Sequence, residues 1–185
     1  MQTKLTSIIN QDPARETSRL LPQADSELIK EGYKTDDKVY LEGGLHRGVL
    51  KKVRISGTPP IYLNTRQFLV WLVLGCHNLS IKKAIAPFSI ETGPFIKASQ
   101  ILEAIDRIKA LAGFPIRAFE YAIDADVTRV IATIRVALRK NRNNPNLIEK
   151  GPYGFGYRLS TRPRNVHISY IRHTGCRMME TASHA

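Results

Sequence analysis

The spacing of apolar positions changes three times along the chain. The first 37 residues are polar, show no sustained period and end in the charged stretch SELIKEGYKTDDK. They predict a flexible arm, with at most one short helix at 25–31. Between residues 39 and 63 the short apolar runs VYL, GVLKKVRI and PIYL are punctuated by Gly43-Gly44 and by Ser56-Gly57-Thr58-Pro59-Pro60. β-Branched and aromatic residues bounded by Gly and Pro clusters read as short strands, here of a small antiparallel sheet.

From Thr65 the period lengthens to that of a helix. Asn64 or Thr65 offers a side-chain cap, Phe68, Leu69, Leu72 and Val73 share an apolar face, and Gly75 marks the expected end. The run FLVWLVLGC is far too short to span a bilayer and reads as a buried helix. Pro87 and Gly93-Pro94 interrupt the segment that follows. A second helix is predicted from about Ile96 to Leu111, with Ile101, Leu102, Ile105 and Ile108 spaced for burial and Gly113 and Pro115 as stops. Residues 114–125 show no clear period. A third helix, VTRVIATIRVALRKN, has Asp126 as its expected N-cap and Val127, Val130, Ile131, Ile134 and Leu138 on one face. LIEK and FGYRLS, separated by Gly151-Pro152-Tyr153-Gly154, read as the strands of a hairpin. Residues 161–185 read as a basic tail that admits one strand at 166–171. The expected organisation is an arm at 1–37, a domain at 38–160 and this tail, in an α+β fold.

Charge narrows the class of partner. Lys and Arg number 28 against 16 Asp and Glu, leaving +12, with a pI near 10.0. Such an excess favours a polyanion, nucleic acid before membrane. From Val127 onward eleven basic residues face only Glu149 and Glu180, so 11 − 2 = +9 of the total lies in the last third. Cys76 and Cys176 form no CxxC pair, and the histidines at 46, 77, 167, 173 and 184 form no HxxxH or HxxE pair. No metal site or cofactor is expected. Asp124 and Asp126 read as helix-capping residues rather than nuclease carboxylates, and no Ser/His/Asp or Cys/His arrangement has a structural context. The protein is expected not to be an enzyme. The start MQTKLTSIINQDPARE lacks the apolar core of a signal peptide, so a cytoplasmic, nucleoid-associated location is expected.

The third helix carries the chemistry. A helix enters the major groove only if its outward face is slim and polar enough to approach base edges. Arg129, Ala132, Thr133 and Val136 form such a face. Arg129 suits bidentate contact with guanine, and Val136 or Ala132 suits a thymine methyl. Thr128, Arg135, Arg139 and Lys140 flank the strip and suit phosphates, which set register rather than sequence. In the hairpin, Gly154 and Gly156 permit a tight turn, while Phe155 and Tyr157 can pack on the helices. A phosphate-cradling glycine loop needs a helix directly after the glycines, and here YRLS and Pro163 follow instead.

Residues 39–160 resemble the OmpR/PhoB-type winged-helix effector domain of bacterial response regulators. Three stretches carry the resemblance. VRISGTPPIYLNTRQFLVWLVL is similar to the family's last N-terminal strands and first helix. VTRVIATIRVALRK is similar to its recognition helix, with Ile131, Ile134, Arg135 and Leu138 in the family's apolar-and-Arg pattern. LIEKGPYGFGYRL is similar to its wing, with the GFGYRL ending as the most specific signature. The resemblance implies a winged helix-turn-helix with a small N-terminal antiparallel sheet, a three-helix core and a C-terminal hairpin wing. It implies sequence-specific binding of double-stranded DNA and regulation of transcription, with RNA polymerase or a second copy on DNA as further partners. Arg129, Ala132 and Thr133 fall at base-facing positions, and Thr128 and Arg135 at phosphate-facing ones. The wing tip near Pro152 and Tyr153 falls at the adjacent minor groove. Lys150 or Arg158 would stand in for the arginine that the family offers there.

The chain also departs from that pattern. Thr128 stands where the family has Asp, the wing is one residue longer, and the loops before the second and third helices are longer. The 38 residues before the first strand are too few for the family's receiver domain, which needs roughly a hundred or more. The alternative function is a protein-interaction or architectural winged-helix module that does not read sequence.

Overall fold

The computed structural model describes residues 32–81, 95–151 and 155–171. Among them lie strands β1 (Val39–Gly43), β2 (Lys52–Ile55) and β3 (Ile61–Tyr62), helices α1 (Thr65–Ile81), α2 (Ala98–Leu111) and α3 (Asp124–Lys140), and strands β4 (Ile148–Lys150), β5 (Tyr157–Leu159) and β6 (Val166–Tyr170). The described residues form an α+β fold: three helices, a mixed four-stranded sheet and a small hairpin. The expected arm helix at 25–31, the turn residue Tyr153 and most of the tail lie outside the described residues.

The sheet has the order β3-β2-β1-β6. β1 pairs antiparallel with β2, Val39 opposite Ile55, and β2 pairs antiparallel with β3. β6 lies parallel to β1, Val39 opposite Val166. The sheet is therefore mixed, where the sequence predicted an antiparallel one. The strand expected within the tail is a full partner of β1 rather than an appendage. Alternation along β1, β2 and β6 turns Val39, Leu41, Val53, Ile55 and Val166 inward.

Those side chains meet α1, which also touches α2, α3 and β5. Every residue from Phe68 to Leu74 is buried, so this helix has no solvated face along that run. Asn64 is its cap. The Asn64 carboxamide oxygen accepts from the Gln67 backbone N–H at 2.9 Å, and the Gln67 side chain accepts in return from the Asn64 N–H at 3.1 Å. The helix runs six residues past Gly75, the expected end. A Cβ at Gly75 would lie 2.9 Å from Ile168 Cδ1, so this glycine is a notch that lets β6 pack on the helix.

Two helix starts also differ from expectation. α2 begins at Ala98 because Ile96 is paired with Tyr157, each N–H donating to the other's carbonyl at 2.9 Å. α3 begins at Asp124, three residues earlier than predicted. Asp126 sits inside the first turn, where its carboxylate accepts from the Ile123 N–H at 3.0 Å. The segment 32–37, read from sequence as the end of a flexible arm, is tied down. Lys34 and Thr35 donate their N–H groups to the Ser160 carbonyl, and the Thr161 hydroxyl donates to the Asp37 carbonyl.

Candidate nucleic-acid interface

α3 is charged in the sense its dipole favours, with Asp124 and Asp126 in the first turn and Arg139 and Lys140 in the last. Its inner face is the predicted one: Val127, Val130, Ile131, Ile134 and Leu138 are all buried. Spacing at 3.6 residues per turn then leaves Thr128, Arg129, Ala132, Thr133, Val136, Arg139 and Lys140 on the outer side, and all seven are exposed.

This strip has two defined edges. On one side the Gln67 side chain of α1 donates to the Thr133 hydroxyl at 3.3 Å. On the other side stands the hairpin. The Thr128 hydroxyl shares a hydrogen bond of 3.0 Å with the Tyr157 phenol. Arg135 donates from Nε at 3.1 Å and from Nη2 at 2.7 Å to one acceptor, the Ile148 carbonyl. Arg135, expected to touch phosphate, thus fastens the helix to β4.

The hairpin sorts its residues by face. Ile148 opposes Leu159, Glu149 opposes Arg158, and Lys150 opposes Tyr157. Period 2 places Glu149 and Arg158 on the face away from Ile148 and Tyr157. Arg158 was expected to reach DNA; instead its side chain is 6 % exposed and ion-paired to Glu149 at 2.8 Å. The Phe95 ring lies 4.7 Å from its guanidinium. A buried, paired guanidinium belongs to the fold rather than to a ligand. The cause is a carboxylate directly across the hairpin, a pairing that a charge count cannot see. Lys150, by contrast, is exposed.

Between α2, α3 and the hairpin is a recess of about 420 Å³, lined in part by Lys97, Ser99, Asp124, Thr128, Lys150 and Tyr157. Two cations therefore border the strip at its hairpin edge. Lys97 was not singled out from sequence, although a lysine at the start of a helix opposes the dipole and is itself a signal. Arg66 was missed as well. It is exposed one residue before Gln67, with its guanidinium 5.7 Å from the Phe119 ring.

The basic excess of the last third is only partly on the surface. Arg158 and Arg162 are buried; Arg129, Arg139, Lys140, Arg142, Lys150 and Arg164 are exposed. Arg129 pairs with Asp126 at 3.2 Å, yet its side chain is 76 % exposed. An ion pair that open to water is worth little and yields readily to another anion. Cys76 is exposed, yet partial desolvation by its neighbours pushes its thiol above the usual range, which disfavours the thiolate. Among the described residues no group of three His, Cys, Asp or Glu is placed to hold a metal ion, and no helix is long and apolar enough to cross a membrane. Compared with protein-family models, with curated proteins and with solved structures, the chain matches none of the three.

Proposed function

We propose that this protein binds double-stranded DNA as a winged helix, with α3 as the reading helix in the major groove and the hairpin on the adjoining backbone, and that it regulates transcription. The observation that carries this reading is the exposed strip of small and basic side chains on α3, hydrogen-bonded along one edge to a hairpin. A helix about 10–12 Å across fits a major groove about 12 Å wide only if the approaching side chains are short. Ala132, Thr133 and Val136 meet that condition. Val136 is 46 % exposed, an apolar surface that a thymine methyl would cover. Arg129 exchanges its solvated Asp126 partner for a guanine edge. Arg139, Lys140, Arg142, Lys150 and Lys97 surround the strip and suit phosphates. The net charge of +12 would steer the approach.

The likeness of the third helix and of GFGYRL to the OmpR/PhoB-type family supports the same reading. The parallel β6 and the sequestered Arg158 depart from it. A second reading, contact with a protein such as RNA polymerase or another copy of the chain, draws on the loop before α3. There Tyr121 is 96 % and Ile123 is 64 % exposed.

Selection from a random duplex library separates the two. An enriched motif that Arg129→Ala broadens supports DNA reading. No enrichment would end it. Duplex binding indifferent to substitutions at Arg129, Thr133 and Val136 would favour the module that does not read sequence.

A further inference from the structure

The segment Gly32–Asp37 crosses the back of the hairpin, on the face opposite α3. Hydrogen bonds and ion pairs tie it there, and the Tyr33 ring adds a contact with a guanidinium. The Arg158 guanidinium donates to the Gly32 carbonyl and lies 5.9 Å from the Tyr33 ring. Lys34 is ion-paired to Glu149, the same carboxylate that holds Arg158. Asn165 donates to the Asp36 carbonyl at 3.0 Å and to its carboxylate at 2.7 Å. The Lys34 and Thr35 N–H groups reach the Ser160 carbonyl at 2.9 and 3.2 Å. None of the residues from Gly32 to Lys38 is buried. A segment held chiefly by hydrogen bonds and ion pairs, with no fully buried residue, opens more easily than the packed core beneath it.

The segment covers the face of the hairpin that carries Glu149 and Arg158. The α3 side of the hairpin is fixed by Arg135 and Tyr157. The other side carries a buried guanidinium in contact with the rings of Phe95 and Tyr33. Lifting residues 32–37 removes the Tyr33 ring, the Gly32 carbonyl and the Lys34 ammonium together, which opens Glu149 and Arg158 to water. The hairpin keeps its buried Ile148, Tyr157 and Leu159 and its pairing with Ile96, but loses the cover of its outer face.

We propose that residues 32–37 are a detachable strap that sets the order of the hairpin and so acts on the DNA-binding face from behind. The device rests on the DNA-binding reading for its consequence, but not for its existence. A preorganised hairpin meets the duplex without losing conformational freedom, so the closed strap is the tight-binding state.

The test uses the full chain carrying Tyr33→Ala with Lys34→Ala, two partly or fully exposed positions outside the core. Amide hydrogen exchange is read at Gly151, Tyr157 and Ser160 in the hairpin and at Leu69–Leu74 in α1, alongside duplex affinity. The strap predicts hairpin exchange faster by about tenfold or more, with α1 exchange unchanged. It predicts duplex affinity several-fold weaker. Unchanged hairpin exchange overturns the strap. Faster exchange at unchanged affinity overturns its coupling to DNA. Equal acceleration in α1 also overturns it, because the segment would then be part of the global fold. If the unmodified protein binds no duplex, the function proposed above fails, and the strap stands or falls on exchange alone.

Discussion

α1 and α3 are each 17 residues long, and they solve opposite problems. α1 carries large apolar side chains on every side from Phe68 to Leu74 and meets protein on every side. α3 alternates by turn, with five apolar residues inward and a strip of small and basic residues outward. Length and helicity therefore say nothing about role here. The arc of the helix that is left to water does, because, of these two, only α3 has a solvated side along its length.

The contrast is broken most directly by truncating one side chain from each helix. Trp71 is wholly buried in α1. Trp71→Ala should remove about 3–5 kcal/mol, a large part of the roughly 5–15 kcal/mol that a domain holds. Val136→Ala on α3 should stay within about 0.5 kcal/mol, as surface substitutions do. Thermal melts followed by circular dichroism measure both. Similar losses at the two positions would mean that α3 is more enclosed than its exposure indicates.

Gly75 sharpens the same point from inside α1. Glycine weakens a helix interior by about 1 kcal/mol relative to alanine, yet here it buys room for β6. Gly75→Val should destabilise by about 1–3 kcal/mol through its crowding of Ile168, which is ordinary overpacking. Protection of β6 amides should fall first in an exchange experiment. A neutral Gly75→Val would show that β6 sits loosely on the helix.

These two helices also show what the sequence could and could not convey. The inner face of α3 was legible to the residue, because 3.6-residue spacing is a local property of Val127, Val130, Ile131, Ile134 and Leu138. The hairpin strands and the strand at 166–170 were legible for the same reason, as short apolar runs between turn residues. The position of β6 was not. Nothing local to VHISY says that it will lie parallel to a strand more than a hundred residues earlier. Gly75 was misjudged because its reason is a side chain of β6. Arg158 and Arg135 read as surface cations by charge alone, and both are held by groups that only the folded chain supplies. These misreadings share one cause, partners that only the fold brings together, whereas the early start of α3 has a local one, the Asp126 carboxylate accepting from the Ile123 N–H.

Arg135 lies on α3 but behaves as a residue of the fold. Its Nε and Nη2 both donate to the Ile148 carbonyl. Arg135→Ala should cost about 1–3 kcal/mol by leaving that carbonyl without a charged donor. It should also lower duplex affinity for every sequence alike, because the hairpin loses its tie to the helix. Arg135→Lys should restore only part of the loss, since one ammonium does not reproduce the fork. Broadened sequence preference in Arg135→Ala would instead place this guanidinium on a base.

The smallest effect on stability belongs to Lys140, and it isolates the electrostatic share of the outer strip. Lys140 is exposed at the end of α3, so Lys140→Ala should change stability by less than about 0.5 kcal/mol. If the strip lies on a duplex, the ammonium neutralises one phosphate and its loss reduces the number of counterions released. The slope of log affinity against log salt should then become shallower by about 0.9, with specific and unrelated duplexes weakened alike. Titrations at three or four salt concentrations read that slope directly. An unchanged slope would put Lys140 off the duplex and confine the interface to the turns of α3 that precede it.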